Sequence, residues 1–279
     1  FDYAVFKEIL PYSLNIFSFS IFQFSFFQLR PVFLGILNST ASITEYNVMN
    51  SLVGLAGMVS GVFMSSLLPS SSRVVQKGDN AKYYQIVYQG TKFISISLCF
   101  CSFGLITIDS DLIMVYVGKD FIHLIPWLNL WLLFLLGNHN QCISSLILAG
   151  SDIRAISIIS SVSSVIGLIV AWFTMPTFGA GGAVIALCIY TSIQIIFYWI
   201  YYWPKIMKID SIRVIVKSFI PYVIIGGTAS YALCQIPHFD NYWINIFLFG
   251  SMFSIIYILG TYLTLSREDK QFILKAIKR

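Results

Sequence analysis

Long runs of apolar residues, separated by short polar segments, fill the chain from near its first residue to near its last. A helix needs about 20 such residues to cross roughly 30 Å of hydrocarbon. The segments between the runs carry ordinary turn chemistry, rich in Ser, Gly, Pro, Asn and Asp. The pattern therefore predicts about eight transmembrane helices, at 11–37, 46–69, 90–108, 124–149, 153–175, 181–203, 214–236 and 242–265.

The composition agrees with an all-α integral membrane protein. Of 279 residues, 57% are hydrophobic and only 10% are charged, whereas a soluble domain carries about 25% charged residues. The five cysteines lie in or beside apolar runs without a CxxC pair, which favours buried small side chains over a disulfide framework. The loops are too short for a catalytic domain, and they contain no phosphate loop or metal-spaced His/Cys cluster. We expect no enzyme activity, no catalytic or metal-binding residues and no cofactor.

The distribution of Lys and Arg predicts an orientation. With the N-terminus in the cytoplasm and eight alternating spans, fifteen of the seventeen basic residues fall on the cytoplasmic side. Lys119 alone falls outside, and Arg30 lies within a span. This asymmetry follows the positive-inside rule and places both termini in the cytoplasm. Because the basic residues lie between spans and form no stripe, a nucleic-acid partner is not expected.

Arg30, followed by Pro31, is the most informative residue of the first span. An arginine at mid-membrane costs about 2.5–3.5 kcal/mol on insertion scales. Two interpretations are open. The side chain could extend to the outer headgroups, since it lies roughly 12 Å from that end of the span. Alternatively it faces a polar interior, which Pro31 favours because a proline frees backbone carbonyls. Gln23, seven residues earlier, lies near the same face.

Four hydrogen-bonding side chains occur in succession inside another span, in the stretch GNHNQC. They cannot all face lipid. They could join neighbouring helices, or they could form a polar patch for sugar hydroxyls. The candidate residues are Asn138, His139, Asn140 and Gln141.

Two further patterns resemble chemical motifs but have simpler explanations. Asp109-Ser-Asp111 has the form of a metal and sugar-nucleotide motif, yet a solvated helix end explains it better. Gly179, Gly181 and Gly182 form a cluster without the preceding strand or following GK[ST] of a phosphate loop. Close helix packing after a turn is the better interpretation.

Three stretches of the chain resemble the C-terminal part of polysaccharide (O-antigen) flippases, in the multidrug/oligosaccharidyl-lipid/polysaccharide exporter superfamily. LRPVFLGILNSTASITEYNVMNSLVGL is similar to the seventh span of that family and the turn into the eighth. LIMVYVGKDFIHLIPWLNLWLL resembles the outer loop that enters the tenth span, and TFGAGGAVIAL the turn that opens the twelfth. The chain departs from the family at Leu29 and Pro31, since an acidic residue or Asn often lies beside the basic one.

The resemblance implies both an architecture and a function. Residues 1–203 would be a six-helix bundle, the second half of a two-bundle transporter, and 204–279 two extra helices with a cytoplasmic amphipathic tail. Since the chain begins with Phe1, we expect it to be N-terminally truncated. The implied function is flipping undecaprenyl-pyrophosphate-linked oligosaccharide from the cytoplasmic to the periplasmic leaflet of the bacterial inner membrane. The implied partners are this lipid-linked substrate, the bilayer, and polysaccharide polymerase and chain-length machinery.

On this hypothesis Arg30 would meet the pyrophosphate, and the amide side chains with His139 would meet the sugar. Three alternatives remain. A drug or cation antiporter of the same superfamily would need an acidic residue deep in a span. A membrane-embedded glycosyltransferase would need a catalytic acid or arginine cluster in a sizeable outer loop. A structural membrane subunit would need no site.

Overall fold

A computed structural model describes residues 3–77, 80–149, 154–266 and 269–270, and the regular structure in these ranges is entirely helical. The long helices alternate with short segments of tighter or wider winding. The α-helices are α1 (Tyr3–Leu37), α2 (Thr40–Lys77), α3 (Asn80–Gln85), α4 (Thr91–Thr107), α5 (Asp109–Tyr116), α6 (Ile125–Leu135), α7 (Gln141–Ala149), α8 (Arg154–Phe178), α9 (Ala180–Phe197), α10 (Ser211–Ser218), α11 (Ile220–Cys234) and α12 (Tyr242–Thr264). Two 3₁₀ segments (Lys119–Leu124, Leu136–Asn140) and two π-helical segments (Ile86–Gly90, Tyr198–Ile206) link them.

Seven helical stretches of the described chain are long and apolar enough to cross a membrane. They confirm the all-helical, multi-pass character that the hydrophobic pattern predicts. The remaining predicted span, 46–69, is not among these seven stretches. It lies inside the 38-residue helix α2, and the total of eight spans stays a prediction. The seven are Ser13–Leu37, Lys82–Thr107, Lys119–Ile147, Arg154–Phe178, Ala180–Ile206, Ser211–Cys234 and Tyr242–Thr264.

The outward faces of these helices are apolar. Phe173, Phe247 and Leu263 are each at least 70% exposed. In water such exposure would be costly, at roughly 25 cal/mol per Å² of apolar surface, whereas in hydrocarbon it is neutral. The burial pattern therefore matches helices surrounded by lipid.

The main core joins α1, α2, α6, α8 and α9. Its buried side chains include Phe26, Met49, Leu132 and Val184. Helices α8 and α9 approach closely at Gly182, where an added Cβ would lie 2.6 Å from the backbone of Thr174. This contact agrees with the predicted packing role of the glycine cluster.

A second core packs α11 and α12 against α4. Leu98 and Phe103 of α4 meet Tyr222 of α11 and Phe253 of α12. The side chain of Tyr257 donates a hydrogen bond to the Ile96 carbonyl at 2.9 Å. Helix α4 therefore contacts both C-terminal helices, α11 and α12.

The position of Asp111 contradicts the prediction that Asp109 and Asp111 belong to a solvated helix end. Instead of belonging to a solvated helix end, it is 3% exposed. Its carboxylate accepts hydrogen bonds from Asn245 Nδ2 at 2.8 Å and pairs with His238 Nδ1 at 2.6 Å. Both partners lie at the connection between α11 and α12, more than 120 residues away. Burial raises the pKa of neighbouring Asp109, although Asn129 donates a hydrogen bond to that carboxylate.

At the opposite end of the bundle, Lys92 of α4 pairs with Asp269 at 2.7 Å. The Ser266 backbone amide donates to the same carboxylate at 3.1 Å, and the Ser266 hydroxyl accepts from the Asp269 amide at 3.2 Å. This reciprocal arrangement is a capping box. The predicted amphipathic tail beyond Lys270 lies outside the described residues.

Candidate functional site

A cavity of about 470 Å³ opens between α1, α2, α9 and the segment that joins α6 to α7. Four of the residues predicted for a site contribute to its wall: Gln23, Arg30, Asn138 and Asn140. They come from two predicted spans more than 100 residues apart in sequence, and the fold brings them to one space. The remaining lining is Phe19, Phe27, Asn50, Val53, Gly54, Gly57, Trp131, Phe134, Leu135, Gly137, Ser144, Leu187, Tyr190, Thr191, Gln194, Ile195 and Tyr198.

Arg30 faces the interior of the bundle. Its side chain is 1% exposed, so of the two interpretations the structure shows the inward one. Helix α1 continues through Pro31 to Leu37. The arginine is thus fixed on a continuous helix, about 10 Å of helical rise from its C-terminal end.

Aromatic rings enclose the guanidinium. Its central carbon lies 4.8 Å from the ring centres of Phe26 and Phe27, 5.5 Å from that of Tyr46 and 5.7 Å from that of Trp131. Ring faces attract a cation at these separations. The rings therefore stabilise the positive charge without neutralising it.

Part of the Arg30 guanidinium lacks hydrogen-bond partners in the described chain. Its Nε and Nη1 groups are buried and have no hydrogen-bond partner among the described residues. Among the described residues, no carboxylate contributes to the cavity wall. An arginine carries five N–H donors, and a buried donor without a partner costs free energy. The arrangement is suited to an anionic ligand that supplies the missing acceptors.

Amide side chains cover another part of the wall. Gln194 of α9 donates to Ser160 Oγ at 3.3 Å and Ser163 Oγ at 3.2 Å of α8. Two bonds to a neighbouring helix hold this side chain in place. Asn140 is 8% exposed and its Oδ1 has no partner in the described chain. Such amides can both donate to and accept from a hydroxyl group.

The 3₁₀ segment Leu136–Asn140 explains how consecutive polar residues separate. With three residues per turn, successive side chains point 120° apart. Asn138 and Asn140 contribute to the cavity, and His139 points elsewhere. Gly137 allows close approach to α9, because a Cβ there would lie 2.8 Å from Ile195 Cδ1.

His139 lies outside the cavity wall. It is 0% exposed, its ring stacks on Phe219 with centroids 4.1 Å apart, and its Nδ1 lies 2.9 Å from the Leu136 carbonyl. The ring also contacts Trp199 and Trp203. Its role is therefore one of packing between the 3₁₀ segment and the C-terminal helices. The side chain of Gln141 lies outside the described residues.

Several cavity residues are missed by the sequence interpretation, chiefly Asn50, Gln194, Tyr190 and Ser144. Asn50 and Gln194 are amide side chains within predicted spans, Asn50 in 46–69 and Gln194 in 181–203. The rule that singled out GNHNQC, that amides do not face lipid, applies to both. Tyr190 gives no such signal, because tyrosine is common in membrane spans.

No protein family model, curated protein or solved structure matches the chain. The chemistry of the cavity therefore has to be inferred from its own residues.

Proposed function

We propose that the protein flips an undecaprenyl-pyrophosphate-linked oligosaccharide from the cytoplasmic to the periplasmic leaflet of the bacterial inner membrane. The observation that supports this most is Arg30, a buried cation. In the described part of the chain two of its nitrogens have no hydrogen-bond partner, and no carboxylate lines the cavity. A pyrophosphate supplies both negative charge and acceptors. The resemblance of the three stretches to polysaccharide flippases points to the same substrate class.

The cavity has two kinds of surface that suit the two parts of such a substrate. Arg30 would donate to the pyrophosphate in a low-dielectric setting, where a charge-assisted hydrogen bond is strong. Asn50, Asn138, Asn140 and Gln194 would exchange hydrogen bonds with sugar hydroxyls. The polyprenyl chain would remain in the bilayer beside the bundle, and access would alternate between the two leaflets.

The same cavity argues against the alternative transporter. A drug or cation antiporter would use a carboxylate to bind its cation, and the described wall has none. The positive charge of Arg30 would repel a cationic drug. The proposal therefore favours an anionic substrate over a cationic one.

The test is a leaflet assay on purified protein in phosphatidylcholine vesicles that carry a fluorescent polyprenyl-pyrophosphate disaccharide. A membrane-impermeant glycosidase reports the fraction of sugar exposed outside. Loss of a charge-assisted hydrogen bond worth about 1.5–3 kcal/mol should slow translocation roughly 10- to 100-fold in Arg30→Gln. Arg30→Lys, which keeps the charge but not the planar fork, should fall between this variant and the unchanged protein.

The matched control is Arg154→Gln, at an exposed position at the start of α8. It should translocate like the unchanged protein. Absence of translocation by the unchanged protein would overturn the proposed function. Equal rates for Arg30→Gln and Arg154→Gln would remove Arg30 from the mechanism.

A further inference from the structure

The short helix α10 has a surface that the transport cavity does not use. Its inner face is buried, with Ser211, Val214 and Ser218 at most 8% exposed. On the outside, Ile212 is 75% exposed and Val216 is 50% exposed. An eight-residue helix thus presents two large apolar side chains outward, next to a polar stripe.

Helical geometry separates that outer face into two stripes. At 100° per residue, Ile212 and Val216 lie about 40° apart, and so do Arg213 and Lys217. The basic pair is rotated by about 100° from the apolar pair. A helix with adjacent apolar and basic stripes is typical of a membrane–water boundary.

The helix is held firmly in this orientation. Asp210 caps it by accepting a hydrogen bond from the Arg213 amide at 3.1 Å. Ser218 donates to the carbonyl of Tyr88 at 3.1 Å, and the Arg213 guanidinium lies 5.4 Å from the Tyr88 ring centre. These contacts fix the direction in which both stripes face.

The length of α11 places α10 at the membrane boundary. Its 15 residues rise about 22 Å, less than the roughly 30 Å of the hydrocarbon layer. The crossing therefore has to begin within α10, and the basic pair lies near one level of headgroups. Arginine and lysine side chains reach phosphates readily from such a depth.

Two more cations precede the helix. Lys205, 5.3 Å from the Tyr201 ring centre, and Lys208 are both exposed. Between positions 203 and 218 Asp210 is the one acidic residue, and it caps the helix. In the described part of the chain none of the four cations pairs with a carboxylate. The α10 surface (Lys205, Lys208, Ile212, Arg213, Val216 and Lys217) thus has four positive charges, against the one negative charge of Asp210 beside it.

We propose that the α10 surface binds the headgroup of an anionic phospholipid. The phosphate contacts Arg213 and Lys217, Lys205 and Lys208 add attraction, and an acyl chain covers Ile212 and Val216. Charge complementarity favours this occupant, because a zwitterionic headgroup offers no net charge to the cluster. The inference does not depend on the transported substrate.

Native mass spectrometry of the full chain, released from nanodiscs of mixed phosphatidylglycerol and phosphatidylcholine, measures which lipid is retained. Each basic residue near an anionic surface is worth roughly fivefold in affinity. The double variant Arg213→Gln/Lys217→Gln should therefore lower the preference for phosphatidylglycerol by roughly 20-fold. The charge-preserving variant Arg213→Lys/Lys217→Arg should retain most of the preference for phosphatidylglycerol. It also tests whether the site still folds when both side chains are replaced.

The control is Arg73→Gln/Lys77→Gln, a second basic pair spaced by four residues, exposed near the end of α2. It should change the lipid preference less than twofold. An equal loss in both double variants would mean that only overall charge matters, which would overturn the proposal. Equal retention of phosphatidylglycerol and phosphatidylcholine by the unchanged protein would also overturn the proposal.

Discussion

Arg30 and Asp111 are buried to nearly the same degree, at 1% and 3% exposed, yet their surroundings differ. Asp111 has a histidine and an asparagine as hydrogen-bonding partners. Arg30 has aromatic rings around it, and two of its nitrogens have no hydrogen-bond partner in the described chain. One buried charge is satisfied within the fold, and the other adjoins an open cavity.

The difference indicates what each charge is for. A buried charge with partners on distant segments holds those segments together, here α5 and the connection from α11 to α12. A buried charge without a counter-ion destabilises the fold, and on the proposed function an anionic ligand completes it. Replacing the two residues should therefore change stability in opposite directions.

Asp111→Ala should give the largest effect. Without the carboxylate, the buried Asn245 loses one acceptor for its Nδ2, and His238 Nδ1 loses its partner. We expect the free energy of unfolding in lipid bicelles to fall by about 3 kcal/mol, measured by denaturant titration. Asp120→Ala, at an exposed position, should change it by less than about 0.5 kcal/mol.

If Asp111→Ala proved no less stable than Asp120→Ala, the network would have no structural role. Combining it with Asn245→Ala sharpens the result. Because both residues belong to one network, the double variant should lose less than the sum of the two single variants.

The sequence predicts the two charges unequally well. An arginine inside an apolar run is visible at once, since the hydrocarbon setting alone makes it unusual. Asp111 looks like a solvated helix end because its partners, His238 and Asn245, lie more than 120 residues away. Only the packing of α12 against α5 shows that the carboxylate is enclosed.

The helices and the cavity differ in the same way, because only the helices depend on local properties of the sequence. Hydrophobic runs place seven of the eight predicted spans on apolar helices of the described chain, with ends that differ by up to eight residues, because segment length and polarity are local properties. The directions of the polar side chains in GNHNQC depend on a 3₁₀ segment. This segment turns Asn138 toward the cavity and His139 away from it. That choice is set by contacts such as Gly137 with Ile195, which no local pattern reveals.

Arg30→Met should give the second largest effect, with the opposite sign. Methionine fills a similar apolar volume, and it removes a charge whose burial the four rings offset only in part. We expect the free energy of unfolding to rise by about 2 kcal/mol, measured in the same bicelles. A fall of that size would mean that the aromatic enclosure, rather than a ligand, accounts for the arginine.

Asp269 provides the smallest test, at a buried carboxylate whose partner, Lys92, is partly exposed. Burial alone would raise the pKa of Asp269, but hydrogen bonds from Lys92 and Ser266 outweigh it and hold the pKa below its usual range. A carboxylate with a lowered pKa in the fold contributes stability above its unfolded pKa of about 3.9. That contribution is lost as the pH falls through the lower folded value.

We therefore expect the pairing of Lys92 with Asp269 to remain intact from pH 7 to about pH 4 and to weaken only below that. Its loss should cost about 1 kcal/mol, because the Lys92 side chain remains partly in contact with solvent. Amide exchange of the segment that contains Asp269, followed by mass spectrometry across this range, measures the change. Asp269→Asn should abolish the acid-induced step because it cannot titrate, and a step that persisted in that variant would assign it to another group.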